Sequence, residues 1–160
     1  MPAVIETSRL VLEPLDQDAL RAVAGGERTG RAWHAEFPVE DDRDAARMTL
    51  RHLDPVFGCL AVVERGSGNA VGTIGFFGPP DERGAVVVGY GLVPSARGQG
   101  YATEALRALV RFAFSNDQVR RIEADPDRAN RASHRVLEKA GFVRGRADGD
   151  AVWYAVERAG

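Results

Sequence analysis

Six consecutive residues, Arg97-Gly98-Gln99-Gly100-Tyr101-Ala102, carry the clearest chemistry in the chain. Their two glycines let a bulky anion approach the backbone, and Leu106, Leu109, Val110 and Ala113 recur behind them at helical spacing. A helix start exposes unpaired N–H groups and about half a positive charge from its dipole. Loop and helix start together suit a phosphate or pyrophosphate, with Arg97 adding a cation. The loop is not the Gly-x-Gly-x-x-Gly fingerprint, because the third glycine position falls on Thr103, and no Gly-Lys-Ser/Thr makes it a Walker loop. It does fit Arg/Gln-x-x-Gly-x-Gly/Ala. The plain structural alternative is a glycine turn feeding an ordinary amphipathic helix.

Other candidate groups are sparser. Three histidines, His34, His52 and His134, lie far apart without metal-ligand spacing, and His52 and His134 read as helix-surface residues. Cys59 is the only cysteine, so an internal disulfide or thiolate cluster is excluded, and its place in a strand reads as small core packing. Asp41, Asp42 and Asp44 read as a solvated helix start whose acidity would also attract a cationic amine.

The elements that must position these groups follow from the apolar pattern. Arg9 to Leu15 alternates as a first strand, and Asp16 can cap a helix that Gly25-Gly26 ends. Residues 27–38 have no clean period and mix Trp33, His34, Glu36 and Phe37. A second helix starts near Asp41-Asp42, turns Ala45, Met48, Thr49 and Leu53 inward, and stops at Pro55. Gly58–Glu64, Ala70–Phe77 and Ala85–Val93 read as an antiparallel meander leading into the glycine loop. A helix over Thr103–Phe114, a short strand at Arg121–Asp125, a helix from Asn130 to Gly141 and a final hairpin around Asp148-Gly149-Asp150 complete the chain. The order implies one α/β domain with a mixed, α+β-type sheet.

Composition narrows the function classes. The 160 residues, 44% hydrophobic and 28% charged, suit one globular domain with a substantial core. A net charge of −2 gives no footprint for nucleic acid. No run reaches the ~18 apolar residues of a membrane span, and the first residues lack a basic stretch followed by an apolar core. The expectation is a cytoplasmic protein without a membrane partner.

The loop pattern resembles the acetyl-CoA pyrophosphate loop of the GNAT superfamily of N-acetyltransferases. Three more segments match in order: Ser8-Arg9-Leu10-Val11-Leu12-Glu13-Pro14-Leu15, Gly72-Thr73-Ile74-Gly75, and the Asn130 to Phe142 stretch, which is similar to the Asn-x-x-Ser-x-x-x-Leu-x-Lys-x-Gly-Phe segment of the RimJ/RimL-like branch. The resemblance implies a largely antiparallel sheet splayed at the strand before the loop, flanked by about four helices. It implies acetyl-CoA as cofactor and acetyl transfer by direct attack of a primary amine, on a small molecule or a protein N-terminus. A CoA- or acyl-CoA-binding module of the same fold without turnover is the alternative.

Roles follow from the resemblance position by position. Backbone N–H groups of Gly98, Gln99, Gly100, Tyr101, Ala102 and Thr103 hold the pyrophosphate beside Arg97. The strand edge from Tyr90 to Leu92 and Val93 pairs with the pantetheine arm, and a backbone N–H near Leu92 or Val93 donates to the thioester carbonyl. The family's tyrosine acid falls here on Leu137, and an acid often found before Gly-Tyr is Val88. Asn130 and Ser133 then serve the pantetheine or the sulfur, or else Asn130 merely caps its helix. Glu123 is the candidate base, or else the partner of Arg121. Trp33, His34 and Glu36, with Tyr90, are expected on the acceptor side, or else Trp33 and Phe37 simply anchor that loop. Pairing of two chains through the last hairpin would give a homodimer.

Overall fold

The computed structural model describes residues 3–28 and 30–159. The chain opens with β1 (Ile5–Glu6) and β2 (Leu10–Pro14), antiparallel partners with Ile5 opposite Leu12. Leu10 and Leu12 are fully buried and Val11 between them is not, the period of two that a strand requires. Asp16 caps α1 (Gln17–Ala24) by accepting from the Ala19 N–H at 2.8 Å, and Gly25 closes it.

Acidic residues open α2 (Glu40–Arg51), where the helix dipole favours negative charge. Its buried face is Asp42, Ala46 and Thr49, whereas Met48 and Leu53 are 42% and 52% exposed. The face is therefore rotated from the one expected, and Asp42 is not solvated. Its carboxylate accepts from the Val39 N–H at 3.0 Å and from the Thr73 hydroxyl at 2.6 Å, which draws this acid onto the sheet.

The meander is β3 (Cys59–Glu64), β4 (Ala70–Phe76) and β5 (Ala85–Leu92), paired antiparallel. Every residue of β4 is buried, because helices cover both of its faces. Thr73 meets α2, while Phe76 packs 6.3 Å from Phe112 of α3 (Tyr101–Phe114). Close approach explains Gly72, where a Cβ would collide with the Gly91 carbonyl oxygen.

After α3 come β6 (Arg121–Ala124), α4 (Arg131–Lys139), β7 (Val143–Asp148) and β8 (Ala151–Glu157). The eight strands form one sheet in the order β1-β2-β3-β4-β5-β6-β8-β7. Among the strands of the described residues only β5 and β6 pair parallel, as the α3 crossover between them demands. The core runs along both faces and includes Leu106, Leu109, Ile122 and Leu137, each fully buried and each contributing roughly 1.5–3 kcal/mol. His134 belongs there too. It is 8% exposed, not on the helix surface, and shares a 2.8 Å hydrogen bond with the Tyr154 hydroxyl.

β5 holds two partners along different halves of its length. Val88 to Leu92 pair with β4, and Ala85 to Val87 pair with β6. Beyond Val87 the strand parts from β6 and the sheet opens, as expected for the strand that feeds the glycine loop.

Candidate active site

The opening in the sheet fixes where backbone groups point. The Val93 N–H donates to the Val71 carbonyl at 2.8 Å, so it is spent within the sheet and cannot serve a thioester. Backbone direction alternates along a strand, so the Leu92 N–H points the other way, into the opening. The Leu92 carbonyl accepts from Arg97 Nε at 3.0 Å, which folds the arginine against the strand end.

The glycine loop then turns into α3. Gly100 is the N-cap at φ 83°, a left-handed conformation that suits glycine, and α3 begins at Tyr101, two residues before the position expected from the apolar pattern. Arg9 braces the loop from outside: Nη1 donates to the Gln99 carbonyl at 2.8 Å and Nε to Glu104 at 2.7 Å. Its guanidinium also lies 4.6 Å from the Tyr101 ring centre. Glu104, in the first turn of α3, further accepts from the Thr7 hydroxyl at 2.6 Å and the Arg9 N–H at 2.9 Å.

Two cavities meet at this loop, and a third adjoins one of them. A groove of about 520 Å³ runs from Tyr90 and Leu92 past Arg97, Gly98 and Gly100 to Asn130 and Ser133 on α4. Arg135 and Lys139 add cations to its wall. A cleft of about 460 Å³, carrying Arg9, Arg107 and Arg111, continues it and shares Gly100, Thr103 and Lys139. A smaller cavity of about 220 Å³ lies between α2 and β4–β5. It shares only Asp41 and Tyr90 with the groove.

Most of the expected cofactor residues line the groove: Leu92, Arg97, Gly98, Gly100, Tyr101, Ala102, Thr103, Asn130 and Ser133. Val93 and Gln99 do not; the Gln99 side-chain amide donates to the Ser95 carbonyl at 3.2 Å. Asn130 caps α4 by accepting from the Ser133 N–H at 3.2 Å, so its capping role and its place in the groove coincide. Tyr90 crosses the groove, its hydroxyl donating to the Ser133 carbonyl at 3.3 Å, and burial pushes its phenol up to about 12.

The other expected residues lie outside the groove. Glu123 lies at the base of the opening, opposite Val87, but lines none of the three cavities, and its carboxylate takes Arg121 Nε at 2.9 Å. Trp33, His34 and Glu36 line none of them either. Trp33 stacks on Phe37 at 4.0 Å. Glu36 accepts from the Ser95 N–H at 2.9 Å and hydroxyl at 2.7 Å, bonds that hold its carboxyl below the usual range. Glu36 thus steadies the turn before the glycine loop rather than facing an acceptor. Leu137, at the family's tyrosine position, is fully buried in the core.

With that geometry in place, the model of the acetyltransferase (GNAT) domain family matches residues 9–143. The chain belongs to the GNAT acetyltransferase family. It is 30% identical over 150 residues to an uncharacterized N-acetyltransferase, YjdG of Bacillus subtilis, covering 88% of this chain and 89% of that one. The fold superposes on the ribosomal-protein-S5-alanine acetyltransferase of Vibrio fischeri with a TM-score of 0.71 at 19% identity, over 97% of this chain and 96% of the other. It also superposes on AAC(6')-Ib, solved with paromomycin and acetyl-CoA, with a TM-score of 0.66 at 19% identity and 94% of each chain covered. This GNAT chain is accordingly an N-acetyltransferase.

Five residues of this GNAT site escape sequence reasoning. Arg9 and Glu104 meet across 95 positions of sequence, and Asp42 and Thr73 across 31, so nothing local announces either pair. Asp41, exposed on the second residue of α2, stands where groove and small cavity join. Its only sequence signal is the acidic run at the helix start.

Proposed function

We propose that this enzyme binds acetyl-CoA in the groove and transfers the acetyl group to a primary amine by direct attack, and that it stands closest to the RimJ/RimL-like branch. One observation carries the reading. β5 leaves β6 after Val87, so the Leu92 N–H faces a cavity continuous with the N-terminus of α3.

The residues fit the cofactor. Gly98 and Gly100 carry no side chain where the groove passes the backbone, and both hold positive φ. The first N–H groups of α3 face the groove, and Arg97, Arg135 and Lys139 supply cations for a pyrophosphate. The adjoining cleft, with Arg107 and Arg111, suits a further phosphate. Bound acetyl-CoA supplies an activated acetyl thioester. The chain orients it: the open edge of β5 receives an extended arm as an added strand would, and Leu92 N–H donates to a carbonyl placed there. Tyr90 and Ser133 close the groove from opposite walls at the same depth. The amine enters through the small cavity, which opens at Tyr90 and Asp41, so positioning the two reactants supplies much of the rate.

The branch assignment rests on Ser8 to Leu15 in β2 and on Asn130 to Phe142, the N-cap and length of α4. A homodimer through the last hairpin would use β7, exposed at every residue. Arg144, Arg146 and Asp148 stud that edge, and charged edges resist strand addition. The site described is lined by residues of a single chain.

Calorimetric titration with acetyl-CoA tests the reading in the native chain and in Thr103→Glu. A glutamate in the first turn suits the helix dipole, so the fold is retained while the added charge opposes a pyrophosphate. Binding to the native chain with a loss of roughly tenfold or more in the variant is expected. Failure of the native chain to bind, or equal binding by both, contradicts it.

A further inference from the structure

We propose that the small cavity selects an acceptor with one primary ammonium on a compact apolar body, and that Asp41 holds that ammonium at the mouth. The proposal rests on the acetyl-CoA reading of the adjoining groove and adds the class of acceptor.

The cavity lies against β4 and β5, where the ring of Phe77 covers Gly89 so closely that a Cβ there would meet it at 2.6 Å. Ala45 and Met48 of α2 complete an apolar lining, and β4 adds backbone there at Gly75, since Ile74 and Phe76 turn their side chains to the α3 face. The polar side chains on that wall are already occupied. The Thr49 hydroxyl donates to the Ala45 carbonyl at 2.8 Å, the Thr73 hydroxyl donates to Asp42, and Cys59 is buried with its thiol pushed up to about 12 by that burial. A ligand entering here finds C–H surface and few free partners, so hydroxyl-rich bodies lose their water without replacement.

The mouth has the opposite character. Asp42 is held by Thr73 and Val39, Asp44 binds Arg47 at 2.6 Å, and Glu40 lies 3.6 Å from both Arg43 and Arg47. The Asp41 carboxylate has no hydrogen bond or ion pair among the described residues. It sits over Gly91, whose Cβ would lie 3.8 Å from the Asp41 Cβ, and it lines both cavity and groove. One available carboxylate matches one ammonium. At about 220 Å³ the cavity falls below the roughly 300–1,000 Å³ of sites for drug-sized ligands. A polyamine would bring several cations, and an aminoglycoside several cations and hydroxyls, to a wall that offers one carboxylate. The chemistry fits a free arylalkyl amine or the first residue of a peptide with an apolar side chain.

The test compares 2-phenylethylamine, a peptide beginning with phenylalanine, spermidine and kanamycin as acceptors, by thiol release from acetyl-CoA. Either or both of the first two should exceed the polycations in kcat/KM by roughly 100-fold, and which one does so identifies the source of the amine. In Asp41→Asn the KM for the preferred amine should rise roughly tenfold, by a larger factor than kcat falls. Calorimetry of 2-phenylethylamine and the peptide with the CoA-bound chain supplies a readout independent of turnover. Preference for spermidine or kanamycin, no binding of either apolar amine, or an unchanged KM in Asp41→Asn would overturn the proposal. Because acetyl-CoA binding is measured separately, its absence would instead strike the reading of the groove.

Discussion

The hydroxyl of Tyr90 donates to the backbone carbonyl of Ser133 at 3.3 Å, tying the free half of β5 to α4 across the cofactor groove. Burial pushes the phenol up to about 12, so it keeps its proton through the neutral and mildly alkaline range. Tyr90→Phe removes the tie and leaves the ring. At about 0.5–1.5 kcal/mol for a net hydrogen bond the melting temperature should fall by only a few degrees. Turnover should fall more, roughly tenfold, because the donor lies where groove and small cavity meet. Steady-state kinetics beside a melting curve separates the two, and unchanged kcat would remove Tyr90 from the chemistry.

Arg9 makes a contrasting case, since its partners lie on the glycine loop rather than at the reacting end. The Arg9–Glu104 pair is partly exposed, and exposed pairs contribute little to stability, so Arg9→Ala should unfold within about 1 kcal/mol of the native chain. Released from Arg9, the Gln99 carbonyl no longer fixes the loop. Acetyl-CoA affinity should drop by roughly tenfold in calorimetry. A large stability loss with unchanged affinity would reassign Arg9 to the scaffold.

Asp42 makes stability depend on pH. Burial is the main reason its carboxyl rises from 3.8 to about 6, outweighing the hydrogen bonds from Thr73 and Val39. Below pH 3.8 both folded and unfolded chains hold this proton; between 3.8 and about 6 the unfolded chain releases it first, and the folded state loses ground. The loss reaches roughly 3 kcal/mol at neutral pH. Asp42→Asn should flatten this part of the profile. Parallel native and variant curves of melting temperature between pH 4 and 7 would contradict a buried, raised carboxyl.

Glu123→Gln tests Glu123 as the base. With the carboxylate held by Arg121 and outside the cavities, kcat/KM should stay within about threefold of native. A fall of roughly a hundredfold or more, the size expected for loss of a general base, would restore Glu123 to catalysis.

The legible parts of this chain are those with local signals. Asp16, Gly25, Gly100 and Asn130 stand where helix ends need them, and the meander strands lie within two residues of their apolar runs. The groove was legible because its ligand chemistry is carried by backbone at a glycine loop. Side chains at the acceptor end were not. Glu36 looked available in sequence but is consumed by Ser95, whereas Asp41 looked like one acid among several until the pairing of Asp42 and Asp44 left it alone. Pairings across 31 to 95 residues decide those roles, and no short pattern records them.

The most direct test of the account is amine-dependent release of the CoA thiol from acetyl-CoA by the native chain. Release that requires a primary amine, with the acetylated amine found by mass spectrometry, is the predicted result. Acetyl-CoA that binds yet gives no release with any primary amine, or hydrolysis at the same rate without one, would contradict an acetyltransferase built on this groove.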